Sequence, residues 1–461
     1  MSSLATLIDS DRKHLIHPVA NYRAHEKRGV TVLERGKGAW LYDAEGNELL
    51  DAFAGLWCVN TGYGHESIVE VAAAQMAKLP YATGYFHFGS QPAIELAQRL
   101  VEITPRSLRH VYFSLGGSDA VDSALRFITH YYNAIGRPGK KHFIALERGY
   151  HGSSSMGSGL TAIASFHRNF DVPLPTQHHI PSPYLYRSET PDDALALIAS
   201  SVKSLEDKVA QLGAENVAAF FCEPVQGSGG VIVPPKGWLK AMRDACERLD
   251  ILFVADEVIT AFGRTGPMFA CETEEVEPDL MTIAKGLTAG YAPMGAVLMS
   301  DAVYQGIADG SKPGEAIGHG QTYSAHPVSA AVGLEVLRLY TEGGLLANGQ
   351  ARAPGFASGL DSLLDHPLVG DSRHAGLLGA VELVADKTTR ARFDPALHLA
   401  DRIFDAAARN RIIFRAFGDN ILGFAPALCY TEGEVGMMVE RVRKTLDDVL
   451  ESADVRRALK S

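Results

Sequence analysis

Cysteine is scarce in this chain and badly placed for pairing. Five cysteines stand at positions 58, 222, 246, 271 and 429, an odd number with no CxxC among them. That argues against a disulfide framework and against a zinc site, and it favours a reducing compartment. Long apolar runs are missing too. No stretch reaches the roughly 18 residues a membrane-spanning helix needs, so no membrane association is expected. The N-terminal MSSLATLIDSDRKHLIH carries charges where a signal peptide would need an apolar core. The expected setting is cytoplasmic. Positive charge is in the minority, with 43 Lys and Arg against 54 Asp and Glu, a net of −11. Nucleic acid is an unlikely partner for such a surface, because a basic face supplies most of that binding energy. Internal repeats, low-complexity tracts and long linkers are also absent.

What is present suits a globular enzyme. The 461 residues are 46% apolar and 21% charged, enough for two or three domains and a large core. Residues 30–53 contain two turn signals, Arg35-Gly36-Lys37-Gly38 and Asp43-Ala44-Glu45-Gly46-Asn47, between short β-rich runs. They read as a small antiparallel meander. Further on, apolar runs recur at HVYFSL (110–115), HFIAL (142–146), VAAFFC (217–222), ILFVA (251–255), LMTIA (280–284) and GAVLM (295–299). Helical patterns lie between several of them. In 118–134, Val121, Ala124, Leu125, Ile128 and Tyr132 share one helical face. Strands alternating with helices predict an α/β fold with a mostly parallel sheet covered on both faces. From about 330 the pattern changes to a long helix, SAAVGLEVLRLY, then a mixed segment and a charged closing helix. This reads as a smaller α+β domain. The expected division is 1–55, 56–329 and 330–461.

Open α/β sheets bind ligands beyond the carboxyl ends of their strands. The residues that follow the apolar runs are therefore informative. Glu223 follows VAAFFC, Asp256 follows ILFVA, and Lys285 follows LMTIA. Gly116-Gly117-Ser118-Asp119 follows HVYFSL, and Tyr150-His151-Gly152 comes soon after HFIAL. Each has a plain reading. GGSD could be a helix cap, Asp256 a salt-bridge partner, Lys285 a lysine snorkelling at the sheet rim. Each also has a chemical reading. A strand-to-helix glycine turn presents free N–H groups to a phosphate. A half-desolvated carboxylate suits a protonated pyridine nitrogen. A lysine in apolar surroundings loses basicity and can form an imine with an aldehyde. Together with an aromatic face, these match the four parts of pyridoxal phosphate: phosphate, ring face, ring nitrogen and aldehyde.

The segments GGSDAVDSALRF, GYHGS, EPVQGSGGVIVPP, VADEVITAFGRTG, TIAKGLTAGYAPMGAV and GHGQTYSAHP carry a more specific signal. In these, over roughly Asn21 to Tyr430, the chain resembles the class III pyridoxal-phosphate-dependent aminotransferases, the ω-transaminases. The resemblance implies fold type I: a seven-stranded, mostly parallel sheet, a small domain built from both termini, and an obligate homodimer, with the pairing of dimers into a tetramer left open. It implies pyridoxal 5'-phosphate as cofactor, with pyridoxamine 5'-phosphate as the form that carries the amino group between two half-reactions. No metal is expected.

Carried over by residue, the match makes Lys285 the imine-forming lysine and proton shuttle, and Asp256 the partner of the ring nitrogen. Tyr150 and Val258 would pack the two ring faces. Gly117 and Ser118 would hold the phosphate, with Thr322 reaching it from the other subunit. Glu223 would be an acid behind the cofactor, and Gly286 would let the chain turn close to it. Arg415, in RIIFRAFGD, matches the arginine that grips the carboxylate of a 2-oxo acid acceptor. Leu56, Trp57, Phe86, Tyr150 and Ile259 would line the pocket of the small-molecule amine donor.

Family members acting on ornithine or 4-aminobutyrate have Glu where this chain has Ser228, and commonly Gln where it has Ile259. Both substitutions point to the amine– or ω-amino acid–pyruvate subgroup. The donor stays open among diamines such as putrescine, β-alanine and aryl-alkyl amines. Gln321 stands where relatives often carry a bulky aromatic; a polar amide there suits a donor with a second polar group. His178-His179 reads as a loop pair, Gly157-Ser158-Gly159 as a turn, and Arg264 as an organiser of the active-site loop. An aminomutase, racemase or decarboxylase of the same fold remains an alternative, as does a non-catalytic protein. The presence of Lys285, Asp256 and Arg415 favours transfer.

Overall fold

In the computed structural model, which describes residues 3–460, the apolar runs assemble into one seven-stranded sheet. Met1, Ser2 and Ser461, the outermost residues of the expected terminal segments, lie outside that description. Across the sheet the strands are Leu108–Ser114, Gly295–Ser300, Leu280–Ile283, Leu252–Asp256, Val217–Cys222, His142–Leu146 and Gln177–Ile180. Only Gly295–Ser300 runs against its neighbours; it pairs antiparallel with strands on both sides. The remaining pairings are parallel.

Successive side chains of a strand point to opposite faces, and here both faces are buried. Ile144, Leu146, Phe220, Cys222, Phe253 and Ala255 join one core cluster. Phe143, Ala145, Ala219, Phe221 and Val254, their neighbours in sequence, join the other. This explains the continuous apolar runs: each aliphatic or aromatic side chain so buried is worth about 1.5–3 kcal/mol, on either face. The helix Gly117–Ala134 covers one face with the predicted stripe, as Val121, Ala124, Leu125, Ile128 and Tyr132 are all buried.

The meander forms as predicted, with strands Leu33–Lys37, Trp40–Asp43 and Glu48–Asp51. Its last strand pairs in parallel with Ile412–Ile413, so the N-terminal segment and the C-terminal region share one sheet. A separate antiparallel sheet of Val369–Ala375, Leu378–Leu383, Ile421–Phe424 and Arg415–Ala416 completes the C-terminal α+β region. The five cysteines are free thiols. Among the described residues no helix is long and apolar enough to cross a membrane.

Two local readings are corrected. His178 and His179 lie in the edge strand Gln177–Ile180, not in a loop. With only Gln177 and Ile180 buried, the strand shows no apolar alternation, and the sheet's seventh strand left no mark in the sequence. Gly157–Leu160 forms a single helical turn rather than a non-helical one. Its glycines answer to crowding: a Cβ on Gly159 would overlap the Gln177 side chain.

Candidate active site

All strands but Gly295–Ser300 point the same way, so the residues after their carboxyl ends meet at one edge. There they line a cavity of about 780 Å³. Lys285, Asp256, Tyr150, Gly117, Ser118, Glu223 and Val258 all face it, as do Leu56, Trp57, Ile259 and Arg415. Phe86 and Thr322 do not. Phe86 is 81% exposed, and Thr322 sits on the same open face, its carbonyl accepting from the Tyr81 hydroxyl at 2.9 Å.

Lys285 leaves its strand through a backbone φ of 39°, in the left-handed region that side-chain-bearing residues rarely adopt. Such conformations persist only where the surroundings enforce them. The next residue supplies part of that enforcement. A Cβ on Gly286 would stand 2.8 Å from Asn60 Nδ2 and 2.9 Å from the Phe262 ring, and its carbonyl accepts from the Tyr340 hydroxyl at 2.7 Å. Glycine at 286 is therefore required by packing behind the lysine. Among the described residues nothing hydrogen-bonds Lys285 Nζ. Burial lowers its basicity, while the charges of Asp256 and Glu223 pull the other way.

Asp256 is 3% exposed and held at both oxygens. His151 Nδ1 lies 2.8 Å from Oδ2, and the Val258 amide donates to Oδ1 at 3.2 Å. Burial works against a charged His151, but the hydrogen bond to Asp256 and its negative charge outweigh that and raise the imidazole's pKa. In the sequence His151 carries no role of its own. The signal was its position after a strand end, one residue beyond Tyr150.

The glycine turn keeps its anion-binding capacity. The helix Gly117–Ala134 has no side-chain cap, which removes the plain reading of Ser118 or Asp119 as an N-cap. Ser118 Oγ instead accepts from the Ser153 amide at 3.2 Å. Glycine is needed here by close approach, since a Cβ on Gly117 would stand 2.9 Å from Val258 Cγ1. These features fit pyridoxal phosphate. An uncapped helix start for the phosphate, Tyr150 and Val258 for the ring, an anchored carboxylate for its nitrogen and an unbonded amine for its aldehyde all line one cavity.

Glu223 is placed behind Tyr150. Its Oε1 accepts from the Tyr150 amide at 2.9 Å and its Oε2 from the Gly227 amide at 3.0 Å. Burial pushes its carboxyl up to about 7, against the opposing pull of His151 and with a further rise from Asp256. A free glutamate titrates near about 4.3. The folded chain thus holds this proton more tightly than the unfolded one, and stability drains away as pH rises from about 4.3 through about 7. Glu223→Gln removes that dependence and leaves a constant offset from the lost acceptor. The wild-type Tm minus the variant Tm, at matched cofactor content, will therefore fall between pH 5 and pH 8. A flat or rising difference would refute the assignment.

Two arginines reach the cavity and differ in what holds them. Arg148 donates to the Gly229 carbonyl and pairs with Asp419. Arg415 lies over the Phe417 ring at 5.2 Å, and among the described residues no carboxylate pairs with it. Burial lowers its basicity and Tyr150 opposes the change; an arginine stays charged regardless. Arg264 lies outside the cavity. It is fully buried, donating to the Leu377 and Pro426 carbonyls and to Asn60, and so ties the sheet region to the C-terminal region. Residues that sequence reasoning missed include Val19, from the N-terminal segment, and the segment Ala162–Phe166, which enters the short helix Ala164–His167 and whose Phe166 meets Tyr150 edge-on at 5.2 Å.

The family model for aminotransferase class-III matches residues 22–446. The putrescine–pyruvate aminotransferase of Pseudomonas aeruginosa is 40% identical over 440 residues, covering 95% of this chain and 94% of its own. The diaminobutyrate–2-oxoglutarate transaminase of Halomonas elongata is 36% identical, covering 98% of both chains. Among solved structures, the omega transaminase of Pseudomonas jessenii in complex with PMP superposes with a TM-score of 0.92 at 38% identity, over 98% of this chain and 99% of its own. With the uncapped phosphate turn, the anchored Asp256 and the free amine of Lys285 at one sheet edge, the chain belongs to the class III aminotransferases, enzymes that depend on pyridoxal phosphate.

Proposed function

We propose that this aminotransferase moves the amino group of an ω-amine or ω-amino acid to pyruvate, giving an aldehyde or ketone and alanine by a ping-pong mechanism. The observation that carries this reading is Arg415: a guanidinium at the cavity wall with no carboxylate partner among the described residues. Its planar fork suits one carboxylate. Ser228 and Ile259, which line the same cavity, offer no acid to neutralise it. A 2-oxo diacid would call for a second free cation, and Arg148 is already engaged by Asp419 and Gly229. The P. aeruginosa relative, named for putrescine and pyruvate, supports this acceptor; the H. elongata relative, named for 2-oxoglutarate, supports the other.

Bound pyridoxal phosphate supplies an aldehyde that takes up the amino group and a ring that withdraws electrons from the substrate carbon. The chain supplies the rest. Lys285 Nζ takes the proton from the amine-bearing carbon and, in the second half-reaction, returns one to the former carbonyl carbon of the acceptor. Its lowered basicity keeps a share of the amine unprotonated and able to act as a base. Asp256 would hold the ring nitrogen, fixed in place by His151. Gly117 and Ser118 would bind the phosphate. Tyr150, held at its backbone by Glu223, would cover one ring face and Val258 the other. Leu56 and Trp57 would line the path of the donor's chain.

The same reading makes the protein a homodimer. Tyr81, Tyr85, Phe86, Phe88 and Tyr323 expose aromatic surface around Thr322, and such patches on a folded chain mark contact sites. Thr322 and Phe86 would then serve the partner's cavity. Gln321 belongs to this face, and its Oε1 is buried without a donor among the described residues of its own chain. Gln321→Phe should cut rates with diamines and β-alanine relative to an apolar amine by about ten-fold, the worth of one hydrogen bond to a charged group. Unchanged relative rates would remove Gln321 from the donor pocket.

A donor panel run against pyruvate and 2-oxoglutarate tests the whole reading. Alanine should form at least about ten-fold faster than glutamate. Faster glutamate formation would overturn the acceptor. An isomerised donor formed without any acceptor would replace transfer by mutase or racemase chemistry.

A further inference from the structure

Away from the catalytic cavity, three metal-ligating side chains converge on the N-terminal segment. Asp11 lies on the helix Leu4–His14, His25 on the helix Tyr22–Arg28, and His17 in the connection between them. His17 Nε2 stands 2.7 Å from Asp11 Oδ1, and His25 Nε2 stands 2.7 Å from Asp11 Oδ2. The two imidazole rings lie 4.3 Å apart, and the ligand atoms of the three residues all lie within 4.8 Å of one another. The side chains are 10% (Asp11), 18% (His25) and 29% (His17) exposed, sheltered but open on one side.

We propose that Asp11, His17 and His25 form a three-ligand site for a first-row divalent cation, zinc foremost, that pins together the N-terminal helix pair whose connection reaches the wall of the active-site cavity. The donor set decides the class of ion. Two imidazole nitrogens and one carboxylate suit zinc and its neighbours, whereas magnesium and calcium prefer oxygen alone. Zinc bonds such ligands at about 2.0–2.2 Å, so donors around a tetrahedral centre stand about 3.3 Å apart. With Asp11 binding through one oxygen, the histidine now 2.7 Å from that oxygen has to open by about half an ångström, and the other, within 4.8 Å, has to close in. The partial exposure of His17 leaves room for water as a fourth ligand.

Packing explains what such an ion would do. Neither helix of the segment contains a buried residue. Little apolar burial therefore fixes the pair, and polar links have a correspondingly large share in its order. The chain between His17 and His25 carries Val19, 70% exposed and at a φ of 53°, to the wall of the catalytic cavity. An ion bound to both histidines would lock that stretch at both ends. The cysteine pattern argued against zinc, and the spacings here, 11 to 17 to 25, match no familiar motif; only folding the helix pair brings the ligands together.

The test uses the cofactor-saturated full-length enzyme, stripped with chelator, and zinc chloride. The comparison is His17→Gln/His25→Gln. Glutamine can still donate to Asp11, so the hydrogen-bonded clasp survives while imidazole ligation is lost. Wild type should retain one zinc per chain after desalting, and the double variant should bind it at least about ten-fold more weakly. Zinc should also slow tryptic cleavage at Arg12, Lys13 and Arg23 in wild type and not in the variant. Equal binding by both proteins would place the metal elsewhere and overturn the site, as would failure of wild type to bind. Zinc retained by wild type with no change in cleavage would overturn the pinning.

Discussion

Lys285→Ala will lower the rate of amino transfer by roughly 10⁴-fold or more while leaving the fold intact. Under the proposed mechanism the magnitude follows from losing two roles at once, the group that forms the imine and the base that moves the substrate proton. The fold survives because the amine makes no hydrogen bond among the described residues and its burial already disfavours its charge. Removing it relieves desolvation rather than creating an unpaired partner. Alanine formed from pyruvate and an amine under single-turnover conditions measures the first expectation, and Tm measures the second. Lys285→Arg should fail equally, since a guanidinium stays charged and cannot act as nucleophile or base. Activity within ten-fold of wild type in either variant would mean that another amine performs the reaction. Unfolding of both would instead show that Lys285 supports the strained turn at its own φ of 39°.

Arg415→Leu will lower kcat/KM for pyruvate by roughly 100-fold, chiefly through KM. Arg415 is poised for this because no protein carboxylate among the described residues competes for it. The donor half-reaction, followed alone with an amine that lacks a carboxylate, should change by no more than about three-fold, the scale of a lost surface-like contact. Arg415→Lys should lie between the two, since it keeps the charge and loses the planar fork. An equal fall in both half-reactions would make the residue a general support of the cavity wall. No change with pyruvate would transfer the carboxylate grip to another cation, Arg148 being the first candidate once released from Asp419.

The chemical centre was unusually legible before folding. Lys285, Asp256, Glu223 and the GGSD turn follow apolar runs, and in a parallel sheet the residue after a strand has its place set by the strand itself. The seventh strand was not legible, because Gln177–Ile180 sits at the sheet edge and buries only its two ends. His178 and His179 accordingly looked like a loop. His151 was visible as a residue after a strand end, but its bond to Asp256 spans 105 positions, and no local pattern announces a contact of that kind.

By itself the sequence determined the alternation of strands and helices, the edge at which reactive groups gather and the identity of those groups. All are consequences of periodicity along one chain segment at a time. The tertiary structure alone decided which groups are engaged and which are free. It pairs Arg148 with Asp419 and leaves Arg415 open, locks Asp256 onto His151, turns Phe86 and Thr322 away from their own cavity, and folds Asp11 onto His17 and His25 beside Val19. A hydrogen bond or an ion pair acts over about 3 Å of space whatever the separation along the chain, so only the packing of whole elements against one another can make or withhold it.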